Sequence, residues 1–278
     1  MDKNLLHRMI REFLSEDVGR GDLTSESIFS DHEIGSARLV ARDSFIVAGV
    51  ESVAAEVFKV QNPAVITVDA VADGTWARPK MGLLTVSGPV IDLLKAERVA
   101  LNLLQRLSGI ATLTAEFVEK VKVYAVRITD TRKTTPGLRV LEKYAVQVGG
   151  GSNHRFNLTD GVLIKDNHIA ACGSIREAVE KVRGKIPHTI RIEVETDNLE
   201  QVDECLACGV DIIMLDNMSP ETMAKAVRQI NGRALVEASG GVTLETVESI
   251  AMSGVDIISV GALTHSVSSC DIGMDWSF

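Results

Sequence analysis

The sequence predicts an α/β protein in two parts, the second a parallel α/β barrel of about six strands. Three observations carry this. Six short runs rich in Ile and Val recur from residue 126 onward: 126–130, 161–166, 189–195, 210–216, 233–240 and 255–261. Amphipathic stretches at helical spacing separate several of them, such as SIREAVEKVRG, NLEQVDECLACG, SPETMAKAVRQING and TLETVESIAMSG. The runs show little polar alternation, which suits strands covered on both faces in a parallel sheet. Strand-then-helix repetition builds βαβ units, and consecutive units close into a barrel. Six strands fall short of the full eightfold closure.

The elements before residue 125 read differently. Leu5, Leu6, Met9, Ile10, Phe13 and Leu14 recur every three or four residues, so residues 3–15 form a helix with one buried face. The polar loop EDVGRGDLTS follows, then β-like runs ARLVAR, FIVAG, AVITVDAV and LLTVSGPV, punctuated by Gly, Pro and Asp. Residues 92–120 are helical, with a break expected near Ser108-Gly109. No long linker or low-complexity segment intervenes.

Composition sets outer limits. The 278 residues carry 29 Lys+Arg against 38 Asp+Glu, a net charge of −9. That total argues against nucleic acid and anionic membrane as partners. Aromatic residues at 4% disfavour a stacking surface for single strands. No stretch of 18 apolar residues is present, and no signal-peptide pattern opens the chain, so a cytoplasmic protein is expected. Four cysteines read as reduced thiols. Cys205-x-x-Cys208 sits in a helix-like stretch with no second pair, which argues against zinc or redox use.

Ligands of parallel α/β folds bind at the carboxyl ends of strands. The six runs end in Asp130 with Arg132-Lys133, Lys165 with Asp166, Glu193 and Glu195, Asp216 with Asn217, Glu237 with Ser239-Gly240-Gly241, and Gly261. Residues 127–168 hold seven cations (Arg127, Arg132, Lys133, Arg139, Lys143, Arg155, Lys165) against four anions. This segment is +3 and leaves the remainder at −12. His154 and His168 add further groups able to carry charge. Arg presents a planar fork to carboxylate or phosphate and Lys a point charge, so the cluster reads as an anion site. Any single cation is better explained by a surface ion pair; the cluster points to the anion site.

Two glycine turns, Ser239-Gly240-Gly241 and Val260-Gly261-Ala262, follow the last two strands, with Thr243 a candidate helix N-cap. Their backbone N–H groups can cradle a phosphate, although a tight turn alone also explains glycine. No GxxxxGK[ST] loop occurs, which excludes an ordinary P-loop site. Glu195 and Asp216, on neighbouring strand ends, can hold ribose hydroxyls or hydrated Mg²⁺, or can simply pair with the cationic rim.

The stretches EDVGRGDLTS, NLLQRLSGIAT, DTRKTTPGLRVLEKYAVQVGGGSNHR, LIKDNH, IEVET, IIMLDNMS, EASGGVT and GVDIISVGALTHS run in order from about residue 16 to 266. In them the chain closely resembles the quinolinate phosphoribosyltransferase family. The resemblance implies an N-terminal α/β sandwich over residues 1–112 and an incomplete barrel over 113–267. A tail, 268–278, is expected to pack back on the N-terminal domain. It further implies Mg²⁺-dependent joining of quinolinate to phosphoribosyl pyrophosphate. The products would be nicotinate mononucleotide, pyrophosphate and CO₂, in de novo NAD synthesis. A homodimer or dimer-based oligomer with shared active sites is implied too.

The resemblance also implies residue roles. Arg106 is the arginine lent by a neighbouring subunit to quinolinate. Arg132, His154, Arg155 and Lys165 grip the two carboxylates, with Thr131 and Lys133 in the same wall and Lys133 facing pyrophosphate. Glu195 and Asp216 serve the ribose and, with the substrate pyrophosphate, Mg²⁺. Ser239, Gly240, Gly241, Val260, Gly261 and Ala262 form the 5′-phosphate cradle. Lys133, Lys165, Glu195 and Asp216 are the expected catalytic groups. Three other readings compete: the family relative associated with molybdenum transport genes, a lyase or isomerase using Lys165 as a Schiff-base amine, and a phosphate-ligand sensor without catalysis.

Overall fold

A computed structural model describes residues 1–277. The chain divides into two compact units. One contains Met1–Ala115, Pro136–Gly150 and the chain from Val267 on, and the other contains Glu116–Thr135 and Gly151–Ser266.

The first unit is built on a four-stranded antiparallel sheet. Strand Ile34–Ala41 lies between Gly82–Pro89 and the C-terminal strand Ile272–Ser277, and Ile66–Val68 adds the far edge. The tail is thus a sheet strand, in register from Ala41↔Ile272 onward. Helix Lys3–Val18 begins where the Asp2 carboxylate accepts the N–H of Leu5 at 2.8 Å, an N-cap that satisfies a donor left over by the first turn. It buries Leu6, Met9, Ile10 and Leu14, the stripe expected from their spacing.

The expected helix break at Ser108-Gly109 does not occur, and Val90–Val121 is one helix of 32 residues. Gly109 is there for space. A Cβ on it would lie 2.2 Å from the carbonyl oxygen of Ser268, so the C-terminal segment crosses the helix where no side chain intervenes.

Pro136–Gly150 falls in sequence among the barrel elements but groups with the first unit. Its helix, Arg139–Val148, buries Leu141, Ala145 and Val146. Glu142, wholly buried, accepts both Nε and Nη2 of Arg106 at 2.7 Å. A Cβ on Gly149 would lie 2.4 Å from the carbonyl of Ala111, a second close backbone approach.

The second unit holds six parallel strands, β1 Arg127–Thr129, β2 Val162–Ile164, β3 Ile192–Thr196, β4 Ile212–Asp216, β5 Leu235–Ser239 and β6 Ile257–Ser259. Their order is β1-β6-β5-β4-β3-β2. Among the described residues β1 and β2 do not pair, so the barrel is open at that seam. The chain after the helix fills it instead, through the bridge Thr129↔Ser152. The sequence-predicted helices appear as Ile175–Arg183, Leu199–Cys208, Pro220–Ile230 and Val247–Met252. Thr243 is not the N-cap of the last. That helix opens at Val247 after Thr246, and Thr243 Oγ1 accepts the N–H of Glu245 in the preceding turn at 3.3 Å. Cys205 is buried on its helix, and burial pushes its thiol up to about 12. No helix of the described residues is long and apolar enough to cross a membrane.

Register explains what the barrel interior contains. Glu195 and Glu237 both stand opposite Met214, and Glu237 stands opposite Ile257, which faces Arg127. Side chains alternate faces along a strand. One face therefore carries Lys165, Glu195, Asp216, Ser239 and Gly261 near the strand ends, together with Glu193 and Glu237, each two residues earlier on its own strand than Glu195 and Ser239. The other face carries Ile164, Val194, Ile213, Leu215, Val236, Ala238 and Ile258, all buried.

Candidate active site

A cavity of about 620 Å³ opens at the carboxyl ends of the strands. Thr131, Arg132, Lys133, His154, Arg155, Lys165, Glu195, Asp216, Ser239, Gly240, Gly241, Gly261 and Ala262 line it. Thirteen residues singled out from sequence thus meet at one place. Two do not. Val260 is buried, and its N–H is spent on the carbonyl of Thr129 at 2.9 Å, so only its two successors face the cavity. Arg106 belongs to the first unit, where Glu142 holds it.

Each wall has a local cause. The Thr131–Lys133 turn is tied by Thr131 Oγ1, which accepts the N–H of Lys133 at 3.0 Å. Thr264 Oγ1 donates to the Lys133 carbonyl at 2.8 Å. Lys165 precedes helix Asp166–Cys172, and its N–H is capped by Nδ1 of His168 at 2.9 Å. This fixes the Lys165 backbone while the ammonium reaches Glu195 Oε2 at 2.6 Å. Arg155 donates Nη1 to the carbonyl of Gly161 at 2.8 Å. Burial, and then the charge of Arg132, hold its guanidinium below its ordinary value. Two crowded cations of this kind favour an arriving anion.

The glycine turns differ in origin. Gly240 has φ +94, and a Cβ there would lie 2.1 Å from Asn217 Oδ1 and 2.8 Å from the Asn217 nitrogen. Asn217, itself left-handed at φ 54, donates its N–H to the Ser239 carbonyl at 2.9 Å and ties the ends of β4 and β5 together. Gly261 has ordinary φ (−66). Its constraint is space, since a Cβ would meet Lys133 Cδ at 3.1 Å.

Glu195 and Asp216 test the fit of a cation. They lie on neighbouring strands and face one cavity, and Asp216 Oδ2 accepts only a neighbouring amide, Asn217 Nδ2, at 2.7 Å among the described residues. An oxygen-only set of two carboxylates open to a phosphate-sized space suits Mg²⁺, which keeps waters and shares substrate phosphates.

Glu193 and Glu237 stand at strand ends in the sequence with no role evident from it. They are 4% and 1% exposed and flank Nε2 of His154 at 3.2 and 3.7 Å. Beneath them lies a second cavity of about 390 Å³ lined by Arg127, Arg191, Ile212 and Ile257. The available signal was their two-residue alternation with Val194 and Ala238. Burial, and then the charge of Glu193, push the Glu237 carboxyl up from 4.5 to about 7. The folded protein therefore keeps a proton that the unfolded chain has lost across that range. Stability is expected to fall as pH rises from 4.5 to about 7. Glu237→Gln lacks that slope. Its stability advantage in urea unfolding should widen between about pH 5 and about pH 8, and parallel curves would contradict the assignment.

The chain matches the family descriptions "Quinolinate phosphoribosyl transferase, N-terminal domain" over residues 22–108 and "C-terminal domain" over 110–275. It is 47% identical over 270 residues to a probable nicotinate-nucleotide pyrophosphorylase [carboxylating] of Bacillus subtilis, covering 97% of this chain and 93% of that protein. It is 44% identical to the nicotinate-nucleotide pyrophosphorylase [carboxylating] of Mycobacterium leprae, covering 96% and 95%. The crystal structure of nicotinate-nucleotide pyrophosphorylase from Ehrlichia chaffeensis superposes with a TM-score of 0.93 at 42% identity, covering 100% and 99%. The protein is an enzyme, a glycosyltransferase of the pentosyl type. More particularly, the chain belongs to the quinolinate phosphoribosyltransferase family.

Proposed function

We propose that this enzyme transfers the phosphoribosyl group of phosphoribosyl pyrophosphate to quinolinate with decarboxylation. The products are nicotinate mononucleotide, pyrophosphate and CO₂, as in de novo NAD synthesis. One observation carries the reading. Arg132, Arg155 and Lys165 share a single cavity with Glu195, Asp216 and the Ser239-Gly240-Gly241 turn. Cations for a dicarboxylate, acids for a ribose and backbone N–H groups for a phosphate are the three recognitions this reaction needs.

The chain's residues act mainly by binding and alignment. Arg132, Arg155 and Lys165 hold the two carboxylates, which points the pyridine nitrogen at the anomeric carbon. Glu195 and Asp216 fix the ribose hydroxyls and favour positive charge developing at that carbon. The glycine turns hold the 5′-phosphate, and Lys133 neutralises charge gathering on the departing pyrophosphate. Glu195 and Asp216 are also the residues that would hold Mg²⁺. When bound it neutralises pyrophosphate charge, as lysine does. After transfer the ring nitrogen is quaternary. Loss of the adjacent carboxylate as CO₂ then leaves an electron pair that the ring cation stabilises, and a proton taken up there completes the product. Decarboxylation follows transfer, so labelled CO₂ from quinolinate should appear only when phosphoribosyl pyrophosphate is present. Release without it would refute the order.

A homodimer, cytoplasmic in location, completes the reading. The family resemblance lends Arg106 to a neighbouring subunit's quinolinate, and the two bonds it donates to Glu142 give that guanidinium a fixed mounting. Arg106→Ala and Lys165→Ala subunits should regain activity when mixed. No recovery after verified subunit exchange would contradict a shared site.

A further inference from the structure

The floor of the cavity holds ionisable groups that the chemistry above does not use. Glu193 and Glu237 project inward from β3 and β5, and the His154 ring reaches between them. Oε1 of each acid is buried with no hydrogen-bond partner among the described residues. On its other edge, Nδ1 of His154 accepts the backbone N–H of Arg155 at 2.8 Å. A ring nitrogen that accepts an N–H carries no proton, so the imidazole proton lies on Nε2, toward the acids. The segment is anchored behind the ring as well. Asp130, wholly buried, accepts the His154 N–H at 2.9 Å and Asn153 Nδ2 at 2.6 Å.

We propose that Glu193 and Glu237 are positioning residues that hold His154 in its Nε2–H form and so fix Arg155 for quinolinate. The inference rests on the reading of this cavity as the quinolinate site. The chain of causes is short. Glu193 Oε2 receives the Nε2 proton, with Glu237 flanking it. Nδ1 is thereby left as an acceptor for the Arg155 N–H. The Arg155 backbone is fixed on one side by that bond and its guanidinium on the other by Gly161. His154 lines the cavity, and contacts to both of its ring nitrogens orient the ring there.

His154, Glu193 and Glu237 also offer three donor atoms within 4.8 Å of one another, the outline of a metal site. The hydrogen bonding decides against it. A metal-bound histidine donates its second ring N–H, whereas here that nitrogen accepts one. A metal on Nε2 would leave the ring with no proton at all.

The test is ¹⁵N NMR of the intact protein labelled in histidine, with His154 assigned by its loss in His154→Gln. A pyridine-type Nδ1 and a pyrrole-type Nε2 are expected. In Glu193→Gln/Glu237→Gln that pattern should give way to mixed tautomers. KM for quinolinate should rise about tenfold, the worth of one charge-assisted hydrogen bond, while kcat and KM for phosphoribosyl pyrophosphate stay within about threefold. Glu193→Gln alone should show the same direction if the double variant does not fold. A wild-type His154 protonated on Nδ1 overturns the proposal. So does a metal ion bound at one per chain and lost in the double variant, or a fall in kcat with KM unchanged. Failure of the proposed function itself would appear separately, as absence of quinolinate turnover in the wild type, and the NMR result would still decide the tautomer.

Discussion

Lys165→Ala is expected to lower kcat/KM for quinolinate by about 10³-fold, the scale seen when one charged stabiliser is removed from a closed site. The side chain is about half exposed, at 47%, and fills no core position. The variant should therefore fold, with its melting temperature within a few degrees of wild type. Two losses add. The substrate carboxylates lose an ammonium, and Glu195 keeps a carboxylate that no longer faces Lys165 Nζ at 2.6 Å. The second loss works against an anionic substrate by leaving negative charge beside it. Lys165→Arg should not restore activity fully, because a planar fork does not reproduce a point charge held this close. Turnover near wild type in Lys165→Ala would remove this residue from the site.

Gly240→Ala is the second large effect, and it acts through the backbone. Gly240 sits at φ +94, where a side chain is strained before any contact is counted. The new Cβ would also lie 2.8 Å from the Asn217 backbone nitrogen, an atom that cannot swing aside. Strain and overpacking together should cost about 2–4 kcal/mol. The tie between the ends of β4 and β5 should loosen, and KM for phosphoribosyl pyrophosphate should rise if the turn holds the phosphate as proposed. Gly241→Ala is the control. Its φ of +58 is strained too, but nothing lies within 4 Å of its Cβ, so about 1 kcal/mol is expected. Equal effects at the two positions would contradict the account.

The mouth of the barrel was legible from sequence because its chemistry falls at the ends of apolar runs. Lys165, Glu195, Asp216 and Ser239 needed only strand boundaries to be found. The deeper pair, Glu193 and Glu237, was obscured because a parallel strand reads as continuously apolar. Its alternation shows only once register tells which face is inward. Gly109 misled for another reason. A helix interior tolerates glycine where a second backbone must pass, and sequence does not reveal the Ser268 carbonyl that passes there. The grouping of residues 136–150 with the first unit is likewise a tertiary fact, set by Glu142 and Arg106.

Charge shows the same limit. The −9 total suggests a poor binder of anions, and the +3 segment over residues 127–168 corrects that only in part. Of its seven cations, Arg132, Lys133, Arg155 and Lys165 line the cavity mouth. Arg127 lines the deeper cavity, and Arg139 and Lys143 belong to the first unit. The proposed anion site rests on four cations that share one cavity rather than on the sum of seven.

The most direct test is one incubation of the purified protein with quinolinate, phosphoribosyl pyrophosphate and Mg²⁺, followed by mass detection of the nucleotide product. The account predicts nicotinate mononucleotide, formed in equal amounts with pyrophosphate and CO₂ and abolished by Lys165→Ala. A nucleotide that retains both carboxylates, or no nucleotide at all from active, folded protein, would contradict it.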